Sequence, residues 1–212
     1  HPEVQNMYIS VFGELADRLK DCESFDGISS RLMLSWQWMG WNALPGLKWG
    51  YDDWTVGQFT KDTGVNVPGK AKDPKRFKTR FTFLTGPARR KWVKWRCDKM
   101  FDFYRRLRDR IRQAKPSAKL FLNYTGPDNR CVLSKGLLNH MLEIGIDYKR
   151  FTNEPGIVVI PSILYGRRYA TPVADAKHLE KMVDEEFKTV ASMGDRGVMI
   201  YSNYFEVNKR LD

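Results

Sequence analysis

The chain has 212 residues, with 36 Lys+Arg against 25 Asp+Glu and a formal net charge of +11. It is 42% hydrophobic and 13% aromatic with seven Trp, which excludes a disordered or low-complexity chain. No run approaches about 18 consecutive apolar residues, the longest being residues 156–164, so a transmembrane helix is excluded as well.

In chain order, residues 1–20 read as an amphipathic helix, with Val4, Tyr8, Val11, Phe12, Leu15 and Leu19 at helical spacing. Pro2 suits its first turn, where a missing N–H costs nothing. Residues 27–34 follow as a strand, and a long aromatic loop then runs from Ser35 to about Trp54. A short helix begins near Asp53. Residues 64–80, rich in Gly, Pro and Lys, read as loop. The strongest helix spans residues 87–115, where Trp92, Trp95, Met100, Phe103, Tyr104, Leu107 and Ile111 form one stripe and Pro116 ends it. Residues 119–124 are a strand, and a helix over Leu133 to Leu142 stops near Gly145. Residues 156–164 are a continuous apolar run, the mark of a strand buried on both faces. Residues 173–193 are helical, and residues 197–201 form the last strand.

Helix followed by strand, four times over, argues for a parallel sheet with crossover helices. The fold class is therefore α/β, of the (β/α) TIM-barrel type, as a whole barrel or part of one. Four units are half of an eightfold barrel, which typically takes about 250 residues. An open doubly wound parallel sheet is the alternative. Residues 1–212 form a single such domain or part of one, with residues 35–86 as a long aromatic and basic insertion.

Three cysteines, Cys22, Cys97 and Cys131, are odd in number and widely spaced, and His1, His140 and His178 are far apart. Neither a disulfide scaffold nor a structural zinc site is expected, and no cofactor or metal is implied. Glycine-rich phosphate loops, nucleophile elbows and HExxH pairs are missing from the sequence.

Both architectures bind ligands at the carboxyl ends of the strands and in the loops that follow. That rule selects Trp36, Trp38, Trp41, Tyr51, Asp52 and Asp53 after the first strand. It selects Asn123, Tyr124 and Asp128 after the second, Tyr165 and Arg167 after the third, and Asn203 and Glu206 after the fourth. Flat rings stack on sugar C–H faces while amides, arginines and carboxylates pair hydroxyls, so the set suits a polysaccharide or oligosaccharide. Trp36, Trp38, Trp41, Tyr51, Asn123, Tyr124, Tyr165, Arg167 and Asn203 are the candidate substrate contacts.

Glycoside hydrolysis needs two carboxyl groups across the bond, one donating a proton and one serving as nucleophile or base. Asp52 and Asp53 are adjacent and cannot both point the same way. One is expected to act as the acid while the other caps the helix that follows. The second catalytic group is then Asp128 or Glu206. The donor needs a raised pKa, for which the surrounding Trp and Tyr residues would supply the desolvation. Asn153-Glu154-Pro155 looks like the Asn-Glu-Pro of cellulase-type barrels, but it precedes a strand, at the amino end, and reads as a decoy. Residues 70–115 hold 18 Lys+Arg against four Asp+Glu. That surplus reads chiefly as the solvated face of an outer helix, and no nucleic-acid partner is expected.

Phe25-Asp26-Gly27-Ile28, then Trp49-Gly50-Tyr51-Asp52-Asp53-Trp54-Thr55-Val56, Phe59, Thr63-Gly64 and Val67-Pro68, with Trp92 to Arg96 and the helix through Ile111 to Pro116, carry a resemblance. So do Gly145-Ile146-Asp147-Tyr148 and Pro155-Gly156-Ile157-Val158. Together they resemble the family 10-like glycosyl hydrolases, large bacterial proteins. The resemblance implies a (β/α) barrel acting on cell-wall or other polysaccharides, within a larger secreted or cell-envelope protein. Many relatives carry an Asp pair at the end of the strand beginning Gly-Ile, where this chain has Arg31 and Leu32. The family's presumed acids do not transfer there. The expected function is a glycoside hydrolase-like domain, the alternative a non-catalytic carbohydrate-binding barrel. The chain starts at His1 with neither initiator Met nor signal peptide, as a mature chain or an excised piece does.

Overall fold

A computed structural model of the chain describes residues 1–33, 43–125, 135–165 and 199–202, together with residues 177, 180, 181, 184, 185 and 188. The elements are α1 (Pro2–Leu19), β1 (Gly27–Met33), α2 (Asp53–Thr63), α3 (Arg76–Thr85), α4 (Arg89–Ala114), β2 (Lys119–Thr125), α5 (Lys135–Glu143), α6 (Tyr148–Thr152), β3 (Ile157–Tyr165) and β4 (Met199–Ser202). The isolated positions between β3 and β4 are helical. All neighbouring strands are parallel, in the order β1-β2-β3-β4. The chain is thus α/β with a parallel sheet, as the alternation predicts.

One face of the sheet, carrying Ile28, Leu32, Leu120, Leu122, Tyr124, Ile157 and Val159, shares a core with the helices. From α4 come Met100, Phe103, Tyr104, Leu107 and Ile111, the stripe read from the sequence. α1 adds Ala16, and α6 adds Tyr148 and Phe151. The other face is covered less. Val158 and Ile160 are only half-buried, so β3 is not packed equally on both sides there. The apolar run marks a strand correctly, and at Val158 and Ile160 it overstates burial. Gly27 begins β1 at φ 151°, where a Cβ would lie 2.0 Å from the Lys119 carbonyl oxygen. Only glycine admits the β2 backbone so close.

α4 is longer than the sheet it covers. Its 26 residues span about 39 Å at the α-helical rise, while the seven residues of β2 span about 23 Å. A tight turn, with Ala118 N donating to Lys115 O at 2.9 Å, sends the chain from the end of α4 directly into β2. The excess length of α4 therefore projects past the carboxyl ends of the strands. Around that projection α2 and α3 build a second core from Tyr51, Val56, Phe59, Leu84, Ala88, Trp92 and Trp95. Trp92 is its centre, with Phe59 at 5.1 Å and Trp95 at 5.2 Å between ring centroids.

Two helices differ from the sequence reading. α3 begins at Arg76, inside the stretch expected to be loop. The face it buries carries Arg80 and Leu84 while Phe77 and Phe81 point outward, so the apolar period misleads. α6 has only five residues, too few for a periodic signal; Asp147 caps it and Tyr148 and Phe151 are buried. Trp92→Ala is expected to cost about 3–5 kcal/mol of stability in urea unfolding. Trp54→Ala, at an exposed position, is expected to stay within about 0.5 kcal/mol.

Candidate functional site

The parallel register brings the carboxyl ends of β1 and β2 together, pairing Arg31 with Asn123, Leu32 with Tyr124 and Met33 with Thr125. Partners in a parallel ladder share a face, so Arg31 and Asn123 lie on the less covered side and Leu32 and Tyr124 on the helix side. Asn123 and Tyr124 lie at the carboxyl end of the strand, within the residues 119–124 read as one. Tyr124 is fully buried, with its ring 6.0 Å edge-on from Tyr148, and Asn123 is buried too. Arg31 was not among the candidate contacts. No spacing rule identifies it, because only the strand register sets a cation beside Asn123.

Leu44 and Pro45, further along the chain after β1, are each held by a hydrogen bond. Leu44 N donates to Ile144 O at 2.9 Å. The buried Arg96 guanidinium donates to Pro45 O and, at 3.1 Å, to Glu143 O, while lying 5.6 Å from the Trp92 ring. Burial lowers the Arg96 pKa to about 10, which leaves it cationic at neutral pH. Tyr51 then turns inward: its hydroxyl donates to Leu47 O, and its ring lies 6.2 Å from Trp92. Its pKa is raised by burial. Tyr51 is a core side chain of the second cluster.

Asp52 and Asp53 divide their work, as two adjacent carboxylates must. Asp52 is the N-cap of α2, accepting from Thr55 N at 2.8 Å. Burial opposes its charge, but hydrogen bonds from Thr55 and the adjoining backbone outweigh it and hold the carboxyl below its ordinary range. That direction is opposite to the one a proton donor needs. Asp53 is half-exposed and meets Arg80 at 2.6 Å and Arg76 at 3.7 Å. Arg80 itself is buried and also donates to Tyr51 O at 2.9 Å and Gly69 O at 2.9 Å. The partners of Asp53 come from α3, the helix the sequence reading missed, so the pairing was not legible in advance.

Two aromatic rings near this segment stay open: Trp49 is 61% and Trp54 46% exposed. The His1 ring lies 5.3 Å from Trp54. Tyr165 ends β3. Trp36, Trp38, Trp41, Asp128, Arg167, Asn203 and Glu206 lie outside the described residues. Glu154 sits before β3 and meets Arg108 at 3.0 Å and Arg105 at 3.3 Å, a structural ion pair at the amino end of the sheet. Among the described residues no group of three His, Cys, Asp or Glu is placed to hold a metal ion, and no helix is long and apolar enough to cross a membrane. No protein-family model matches the chain, and no curated protein matches it significantly.

Arg96→Met is expected to cost about 3 kcal/mol, because it strips a charged donor from two carbonyls at once. Urea unfolding checks it. Acid offers a second test. Asp62 is held low by hydrogen bonds from Lys99 and Trp95. In Asp98, burial raises the pKa, but hydrogen bonds from Lys94 and Arg150 prevail and lower it. Folded values below the ordinary 3.8 mean stability that is complete above that pH and lost as pH falls through the lowered values. The melting temperature is expected to fall below about pH 4, and less steeply in Asp62→Asn.

Proposed function

We propose that this chain is a glycoside hydrolase-like domain of the (β/α)-barrel type that engages a polysaccharide at the carboxyl end of its sheet. The observation that carries the reading is the order of the strands. Among the described residues four parallel strands run in sequence order, the order a (β/α) barrel has; a doubly wound sheet reverses its order at the ligand crevice. A sequential parallel sheet directs its ligands to the carboxyl ends of the strands. Trp49 and Trp54, in the segment that follows β1, offer the open ring faces that sugar C–H surfaces stack on. The reading includes a secreted or cell-envelope setting.

Hydrolysis by two carboxyl groups needs one that is protonated before the bond breaks. Asp52 is engaged as a helix cap and Asp53 with two arginines, which suits an ionised nucleophile or base better than a donor, so the proton donor is sought at Asp128 or Glu206. That group would protonate the leaving oxygen, and a second carboxylate, Asp53 included, would act as nucleophile or base. The same engagement of Asp52 and Asp53 favours a second reading, a non-catalytic carbohydrate-binding domain, which needs the aromatic surface and no donor.

The test is mass spectrometry of new reducing ends after incubation with neutral, acidic and cell-wall glycans. A hydrolase releases them, and Asp128→Asn or Glu206→Gln lowers the rate by about 10²- to 10⁴-fold. Glycan binding without release supports the binding domain. Neither release nor binding, by protein whose melting is unchanged, overturns both.

A further inference from the structure

The basic surplus of the chain is densest where α3 begins. Residues 70–80 hold Lys70, Lys72, Lys75, Arg76, Lys78 and Arg80 against the single acid Asp73. Arg80 is buried and fully engaged with Tyr51 O, Gly69 O and Asp53. Lys70, Lys72, Lys75 and Lys78 are different: all four are exposed, and none has an ion pair among the described residues. The same helix turns two large rings to solvent, Phe77 at 48% and Phe81 at 41% exposure. They are four residues apart and so share a face. The Arg76 guanidinium lies 4.3 Å from the Phe77 ring and 3.7 Å from Asp53 at the start of α2.

Neighbouring lysines without counter-charges repel one another, and a ligand that carries spaced anions relieves that repulsion. A neutral ligand leaves it in place. Exposed rings among those cations add a flat apolar contact that a bare ion cannot use. We infer that the exposed face of α3 binds an acidic polysaccharide, one with carboxylate or sulfate groups along its chain. The inference rests on the polysaccharide reading above and names its substrate class. A glycan is favoured over single-stranded nucleic acid, which also uses rings and cations, because no nucleic-acid-binding motif accompanies these lysines in the sequence.

The test is isothermal titration calorimetry of the full chain with heparin, polygalacturonate, neutral dextran and an oligo-dT strand, at low salt and at about 0.15 M. Heparin or polygalacturonate is expected to bind at low salt and weaken steeply as salt rises, with no such salt dependence for dextran. Lys75→Glu with Lys78→Glu is expected to weaken acidic-glycan binding by about tenfold or more. Both sites are exposed, and Lys75→Glu places an acid at the start of α3 where the helix dipole favours it, so melting should be unchanged. Phe81→Ala, also exposed, should weaken binding at both salt levels.

Acidic glycans bound equally by the double variant, or not bound at all, would overturn the inference. Tighter binding of oligo-dT than of either acidic glycan would overturn it in favour of a nucleic-acid surface. Neutral glycan bound or cleaved, with the lysines irrelevant, sinks this inference and leaves the proposed function standing. Lysine-dependent binding of acidic glycan without any cleavage sustains the inference and removes the hydrolase.

Discussion

Cations placed along α4 hold the irregular parts of the chain to its regular parts. Arg96 gathers Pro45 O and Glu143 O in the first half of the helix, Arg108 takes Pro155 O and Glu154 near its C-terminal end, and Lys115, which caps that end, donates to Cys22 O and Phe25 O. A loop that crosses a protein surface has carbonyls that no ladder satisfies, and burying them unpaired is costly. A guanidinium with five donors can satisfy several at once, while its own charge is compensated by the dipoles it collects. Arg80 does the same from α3. The helix thus positions the segment after β1 and the approach to β3 with side chains rather than with further secondary structure. The second core and the approach to β3 take their places from that spine.

Much of this was legible in the sequence. The stripe from Trp92 to Ile111, the strand beginning at Gly27 and the helix start after Asp52 follow from periodicity and capping chemistry. What escaped was carried by charged residues facing inward. α3 hides its buried face behind Arg80 and shows phenylalanines to solvent, which inverts the usual pattern. The fate of Asp53 was hidden with it, because its partners lie on that helix. Tyr51 and Tyr124 were misplaced for a related reason. A tyrosine near a strand end looks the same whether its ring is open or buried, and only packing on Trp92 or Tyr148 decides.

The charge of the chain likewise sorts into two populations that composition cannot separate. Arg80, Arg96 and Arg108 are internal and spent on backbone and carboxylates. The lysines of residues 70–78 are external and unspent. A single figure for net charge mixes fold-holding cations with those available to a partner. The same division applies to the tryptophans, since Trp92 and Trp95 make a core while Trp49 and Trp54 do not.

That division gives the most direct test of the central claim, that glycan is engaged at the carboxyl end of the sheet. The seven tryptophans give seven indole N–H signals in a nitrogen-15 correlation spectrum, assignable by Trp→Phe variants. Titration with oligosaccharides, neutral and acidic, should move the Trp49 and Trp54 signals and leave those of Trp92 and Trp95 in place. Indole signals that all stay fixed with every oligosaccharide would contradict it.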